Sequence, residues 1–157
     1  MAKEVERKFL VANPRWRILA EPGIAIIQFY IAATPDRSVR VRIREGREAT
    51  LTIKFGGDKR VRDEFEYPIP PEEAVAMQAF ALGVVIAKRR HIVRHKGHAY
   101  EVDMFDGALN GLVVAELETE AEVADADLPG WLGREVTGEA PFYNSSLAMH
   151  GLPALIA

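Results

Sequence analysis

Glu4-Val5-Glu6-Arg7-Lys8-Phe9-Leu10, near the start of the chain, carries Glu4, Glu6 and Lys8 at alternate positions. As a β-strand it would project Glu4, Glu6 and Lys8 from one face, about 7 Å apart along it. Two carboxylates and an ammonium in one column put hard oxygen donors, suited to Mg²⁺ or Mn²⁺, beside a point charge suited to phosphate. A solvated edge strand could carry the same pattern, so its meaning depends on the other strands.

The pattern repeats. In Ser38-Val39-Arg40-Val41-Arg42-Ile43-Arg44 the three arginines share one face and the aliphatic residues the other. Thr52 and Lys54 share a face of Leu51–Phe55, and Arg62, Glu64 and Glu66 share a face of the next segment. Lys88 and Arg90 follow, then Glu101 and Asp103, then Glu116, Glu118 and Glu120. Segments three, four and six supply mostly cations; one, five, seven and eight supply mostly carboxylates. An ordinary solvated face is diluted with Thr, Ser and Gln. A sheet that concentrates both signs, segregated by strand, suits a polyanion held together with metal ions.

Strand-like alternation covers residues 2–10, 24–33, 38–46, 49–55, 61–69, 85–95, 98–106 and 111–121. Pro35-Asp36-Arg37, Gly56-Gly57-Asp58 and Lys96-Gly97 supply turns. Pro70-Pro71-Glu72-Glu73 predicts a helix to about Leu82, ended by Gly83, and Tyr143–Met149 predicts a second short helix before Gly151. Eight consecutive antiparallel strands predict a mainly β fold with a few helices, closed or nearly closed as a barrel because closure removes edges. The charged faces could line its interior or face water. With charges inside, the outward apolar faces, such as Val39–Ile43 and Leu51–Phe55, would need cover.

The 157 residues suit a single domain over the whole chain, 1–157, with ordinary hydrophobic (48%) and charged (27%) fractions. A net charge of −3 argues against a nucleic-acid partner bound through a basic surface. The absence of cysteine excludes thiolate metal sites and thiol nucleophiles. The N-terminus lacks an apolar signal core and no apolar run is long enough to span a membrane, so a cytoplasmic setting is expected. No Walker-type phosphate loop, dinucleotide fingerprint or nucleophile elbow is present. Phosphate binding must therefore come from Arg and Lys side chains. His91, His95 and His98 read as a surface cluster, Trp131 as a packing anchor, and Tyr30 as either core or a cavity residue able to hydrogen-bond a catalytic group.

These charged pairs, in this order, resemble the CYTH superfamily, the triphosphate tunnel metalloenzymes, and its short bacterial branch in particular. Glu4-Val5-Glu6-Arg7-Lys8 is similar to the family's E-x-E-x-K strand. Gln28 and Tyr30, Arg42 and Arg44, Thr52 and Lys54, Glu64 and Glu66, Lys88 and Arg90, Glu101 and Asp103, Glu116 and Glu118, and the segment from Gly133 to Ala148 follow in order. Two departures stand out: Arg40 adds a cation, and the tail reads Phe142-Tyr143-Asn144-Ser145 where relatives tend to carry a lysine near the Asn.

The resemblance implies a tunnel with the charges inside and metal-dependent hydrolysis of a small-molecule triphosphate, foremost tripolyphosphate, by a monomer or homodimer. In that reading Lys8, Arg42, Arg44, Lys54 and Arg90 bind substrate. Glu4, Glu6, Glu116 and Glu118 hold Mg²⁺ or Mn²⁺, with Glu64, Glu66 and Asp103 at a second metal or its waters. Lys88, Tyr30 and Arg90 form the catalytic set, in which Lys88, with its pKa lowered among cations and with Tyr30 nearby, accepts a proton from water. Competing readings are a class IV-type adenylate cyclase, a thiamine triphosphatase and a non-catalytic polyanion-binding module.

Overall fold

The computed structural model describes residues 5–56 and 63–154. Glu4, Arg62 and most of the expected turn at 56–58 lie outside the described residues. The elements in chain order are β1 (Val5–Val11), β2 (Ile24–Thr34), β3 (Arg37–Arg44), β4 (Glu48–Phe55), β5 (Asp63–Ile69), α1 (Pro71–Met77), β6 (Leu82–His95), β7 (His98–Phe105), β8 (Val113–Thr119), β9 (Leu132–Glu135) and α2 (Asn144–His150). Every strand pairing is antiparallel. The strands form one sheet in the order β5-β4-β3-β2-β6-β7-β8-β1-β9.

The mainly β architecture and all eight expected strands are present, with a ninth added. β9 falls in the segment from Gly133 that alternation alone left unassigned, and it is too short for a period to register. Its place is fixed from outside. The Arg7 guanidinium donates to both carboxylate oxygens of Glu135 at 3.0 and 2.7 Å. Thr137 Oγ1 accepts from the Lys8 amide at 3.0 Å, and the Val136 amide donates to the Lys8 carbonyl at 2.8 Å. β1 is thus paired on both sides, by β8 and β9. Among the described residues the ladder runs from β5 to β9 in one curled sheet.

Local chemistry sets the hairpins. Lys96 and Gly97 both take positive φ, 48° and 80°, the two-residue type I′ turn whose twist matches that of the flanking strands. Glu45 and Gly46, read from sequence as the end of a strand, form the same kind of turn, with φ of 52° and 64° and the Arg47 amide donating to the Arg44 carbonyl at 3.0 Å. α1 starts at Pro71 with Glu72 and Glu73 in its first turn, as expected. Gly83 does not end that helix, because β6 has already begun at Leu82. Instead it makes room for α2, which crosses so close that a Cβ at Gly83 would run into the Ala148 carbonyl oxygen.

The cover that the outward apolar faces require is supplied in two places. Phe29, Val41, Ile43 and Ala49 pack under Ala74 of α1. Val93, Tyr100, Val102, Ala115 and Leu117 pack under Trp16, from the 3₁₀ turn after β1, and under Trp131. Trp131 meets Tyr100 edge to face at 5.8 Å, the packing role its sequence context suggested. A third cluster lies on the opposite, concave side. Tyr30, Ile86, Phe105 and Val114, from four neighbouring strands, converge on Phe142, Leu147 and Ala148, so the C-terminal segment and α2 fill one end of the concavity. Among the described residues no helix is long and apolar enough to cross a membrane.

Candidate functional site

The concave face carries the charges. Curvature brings groups from distant strands into electrostatic contact: Asp103 of β7 acts on Arg42 of β3, and Glu116 of β8 acts on Tyr30 of β2. In a flat sheet β2 and β8 would lie about 14 Å apart, three strand spacings in this order.

Lys88, Arg90, Asp103 and Glu101 form the centre, across the β6–β7 ladder where Arg90 faces Asp103 in register. Arg90 donates to both oxygens of Asp103 at 2.8 and 2.9 Å and to Glu101 at 3.0 Å. The Lys88 ammonium, wholly buried, stands 2.8 Å from Oδ2 of Asp103 as a contact ion pair, outside the geometry of a directed hydrogen bond. It also lies 5.4 Å above the Phe105 ring. Burial pulls the Lys88 pKa down from 10.5 to about 8; Asp103 opposes this shift, and Arg90 and Arg42 add to it. Burial alone would raise the Asp103 carboxyl, but Lys88 and Arg90 overcome it and hold the group at about 2. Arg90 is pushed up despite its burial, by the carboxylates of Asp103, Glu101 and Glu116.

Along β3 the arginine row lines the same face. Arg42 is pushed down to about 10, by burial first and then by Arg40, Arg90 and Arg44. Its Nε and Nη2 both donate to Oε1 of Gln28, at 3.1 and 2.9 Å. Arg40 is half-buried and pairs in register with Tyr30. Arg44, at the end of β3, is exposed. Tyr30 is buried; burial raises its phenol pKa, and Arg40 and then Arg42 oppose that rise. Ile26 is the register partner of Lys88 on β2, and Tyr30 lies four residues farther along that strand. Tyr30 and Lys88 therefore share a face without forming a direct cross-strand pair.

The carboxylates divide into two groups. Glu6 faces Glu118 in register across β1 and β8, and Lys8 faces Glu116, with Nζ to Oε1 at 3.4 Å. Lys8 Nζ also donates to the Phe142 carbonyl at 3.0 Å, tying the strand to the tail that fills the cavity end. Glu64 and Glu66 lie on exposed β5, with Lys54 3.9 Å from Glu64 and the Thr52 hydroxyl donating to Glu66 at 3.3 Å. Among the described residues no three His, Asp or Glu side chains converge as a metal cage; Glu4, beside Glu6, lies outside them. The donor chemistry fits a hard divalent cation, since Glu6, Glu118 and Glu116 are all carboxylates.

The histidines do not assemble into a metal site. His91 packs on Trp16 at 5.3 Å with Nδ1 2.9 Å from the Glu21 carbonyl, and His95 packs on Tyr100 at 6.5 Å. Two contributors to the concave face, Gln28 and Arg40, are easily passed over in the sequence. Gln28 alternates in phase with Tyr30, which is the available signal, but an amide does not stand out among charges. Arg40 keeps phase with Arg42, yet it stands out chiefly as a departure from the family pattern.

A curled antiparallel sheet with a doubly charged concave face and a helix filling one end defines an antiparallel β-tunnel protein. The chain belongs to the CYTH domain family, whose sequence pattern matches residues 2–146. It is 40% identical over 148 residues, 94% of each chain, to the inorganic triphosphatase of Acetivibrio thermocellus. It is 34% identical over 151 residues to the inorganic triphosphatase of Nitrosomonas europaea, covering 93% of this chain and 97% of that one. The crystal structure of the inorganic triphosphatase NE1496 superposes with a TM-score of 0.72 at 28% identity, covering 98% of this chain and 99% of that one.

Proposed function

We propose that this protein hydrolyses inorganic tripolyphosphate to pyrophosphate and phosphate, using Mg²⁺ or Mn²⁺. The observation that carries the proposal is the cation row: Arg42 stands with Arg40, Arg44 and Arg90 on one concave surface, its pKa lowered first by burial and then by those cations. Cations held together against their own repulsion are preorganised for a multivalent anion, and such fixed charges are usually the largest catalytic contribution. The shared family, and relatives that are inorganic triphosphatases, support the same substrate class.

In this reading Arg40, Arg42, Arg44, Lys54, Lys8 and Arg90 bind the phosphate chain. Glu6, Glu116 and Glu118, with Glu4, hold the metal. A bound divalent ion would neutralise phosphate charge and favour the attacking water. Lys88, neutral in part near pH 8, takes the proton of that water as it attacks the terminal phosphorus, and pyrophosphate leaves as the P–O bond breaks. Tyr30 supports this set through Arg40. Asp103 is better explained as the anchor of Lys88 and Arg90 than as a metal ligand, because both its oxygens are engaged by cations. Glu64 and Glu66 are assigned to a second metal or its waters at the β5 edge. We assign the activity to one domain, working in the cytoplasm as a monomer or homodimer without nucleic acid.

The test is phosphate release from tripolyphosphate, ATP, thiamine triphosphate and pyrophosphate, each with Mg²⁺ and Mn²⁺. Tripolyphosphate should be cleaved fastest. Cyclic AMP formed at a comparable rate would favour the cyclase, and binding without turnover would leave a polyanion-binding module.

A further inference from the structure

Two largely buried arginines of the concave face are held in opposite ways. Arg90 is clasped by carboxylates, Asp103 and Glu101, which cancel its charge locally. Arg42 is clasped by a neutral amide. Gln28 is fully buried in the middle of β2, in register with Arg42 on one side and Ile86 on the other. Its Oε1 caps the Nε–Nη2 edge of the guanidinium. A guanidinium capped on that edge still presents its terminal Nη1–Nη2 fork, the edge that takes an oxyanion bidentately.

The orientation of the amide is fixed. With two arginine N–H donors on that side, only the carbonyl oxygen can face Arg42, and the amide nitrogen must turn away. That nitrogen is buried and has no hydrogen-bond partner within the described residues. A buried amide donor left unsatisfied is destabilising, and such groups persist where function requires them. A hydrophobic residue would avoid this cost but would not hold Arg42. A glutamate would hold Arg42 more strongly but cancel its charge.

We propose that Gln28 is a positioning residue that fixes Arg42 through a neutral oxygen so that the full guanidinium charge stays available to the polyphosphate chain. The inference rests on the reading of the cavity as a triphosphate site. Arg42 feels repulsion from three other cations, Arg40, Arg90 and Arg44. Stability of the unliganded protein therefore favours a carboxylate at position 28, and anion binding favours the amide.

The variant Gln28→Glu separates these two demands. It is nearly isosteric and keeps the acceptor, but places a negative charge among the cations. We expect its melting temperature without ligand to equal or exceed that of the wild type. Its affinity for tripolyphosphate, measured by calorimetry without metal, should fall about 10- to 100-fold, the loss expected for one charge-assisted contact. In turnover, KM should rise by a similar factor while kcat changes little. A residue that only supports packing would move stability and binding in the same direction. A Gln28→Glu protein that is less stable or unfolded, or that binds tripolyphosphate like the wild type, overturns the proposal. A wild type that does not bind tripolyphosphate at all overturns the functional reading instead, which keeps the two failures distinct.

Discussion

Lys88 and Asp103 meet at 2.8 Å with both side chains almost wholly shielded from water. Arg90 joins them, donating to both carboxylate oxygens. Two cations on one buried carboxylate form a unit in which each charge is tolerable only because of the others.

Removing the shared anion should therefore cost more than removing a surface charge. Asp103→Asn preserves shape but leaves Lys88 and Arg90 adjacent and largely uncompensated, a loss of about 3–5 kcal/mol for breaking a buried pair. Urea denaturation of the variant at neutral pH should show the midpoint shift. A change within a few tenths of a kcal/mol would mean that water or a rearranged Glu101 already carries the compensation.

The same unit governs pH dependence. Lys88 titrates near 8 in the folded chain against 10.5 unfolded, so from pH 8 to 10.5 the unfolded state binds the extra proton and this group's contribution to stability rises with pH. Asp103 acts in the acid range: its folded pKa, about 2, lies below 3.8, so its stabilising contribution is complete above about pH 4 and is lost as pH falls toward 2. In catalysis a base at Lys88 gives a kcat/KM that rises through an apparent pKa near 8. Lys88→Arg, which keeps a charge that does not titrate, should remove that limb together with most activity. A limb that survives in Lys88→Arg would assign it to another group.

Glu6 and Glu118 face each other across the β1–β8 ladder. Glu6→Gln should leave folding intact, since it nearly preserves the shape of an exposed side chain. It should also reduce the rise in melting temperature produced by Mg²⁺ or Mn²⁺, which follows from mass action on the folded state. An unchanged metal-induced shift in Glu6→Gln would exclude this residue as a ligand.

Gly83 tests how α2 is seated. Gly83→Ala meets two penalties: φ of +65° and a Cβ driven into the Ala148 carbonyl. It should cost roughly 1–3 kcal/mol of stability and unseat the helix that fills the cavity end. Faster proteolysis of the C-terminal segment, compared with Ala87→Gly elsewhere on β6, would show that the effect is local. Equal rates would mean that α2 is held mainly by its own apolar contacts.

Much of this protein is determined by local chemistry and is legible in its sequence. Period-two alternation needs only nearest neighbours, so all eight long strands, the Lys96-Gly97 hairpin and the Pro71 helix start could be read directly, as could the segregation of charge by strand. Elements whose conformation depends on distant partners were not legible. β9 is four residues long and exists because Arg7 and Lys8 pair with it; Gly83 looked like a helix stop because nothing nearby reveals α2 lying over it. Glu45-Gly46 continued an alternation that only the closing hydrogen bond ends. For the site, sequence determined which residue types share a face. Only the pairing and the curvature of the strands decided which charges meet, because Coulomb energy depends on distance in space and not along the chain. Strand order and register joined Asp103 to Arg90 and Lys88, kept Tyr30 from pairing with Lys88 across the ladder, and gave the two buried arginines different partners, one carboxylates and one a buried amide; curvature then brought Asp103 within reach of Arg42 and Glu116 within reach of Tyr30.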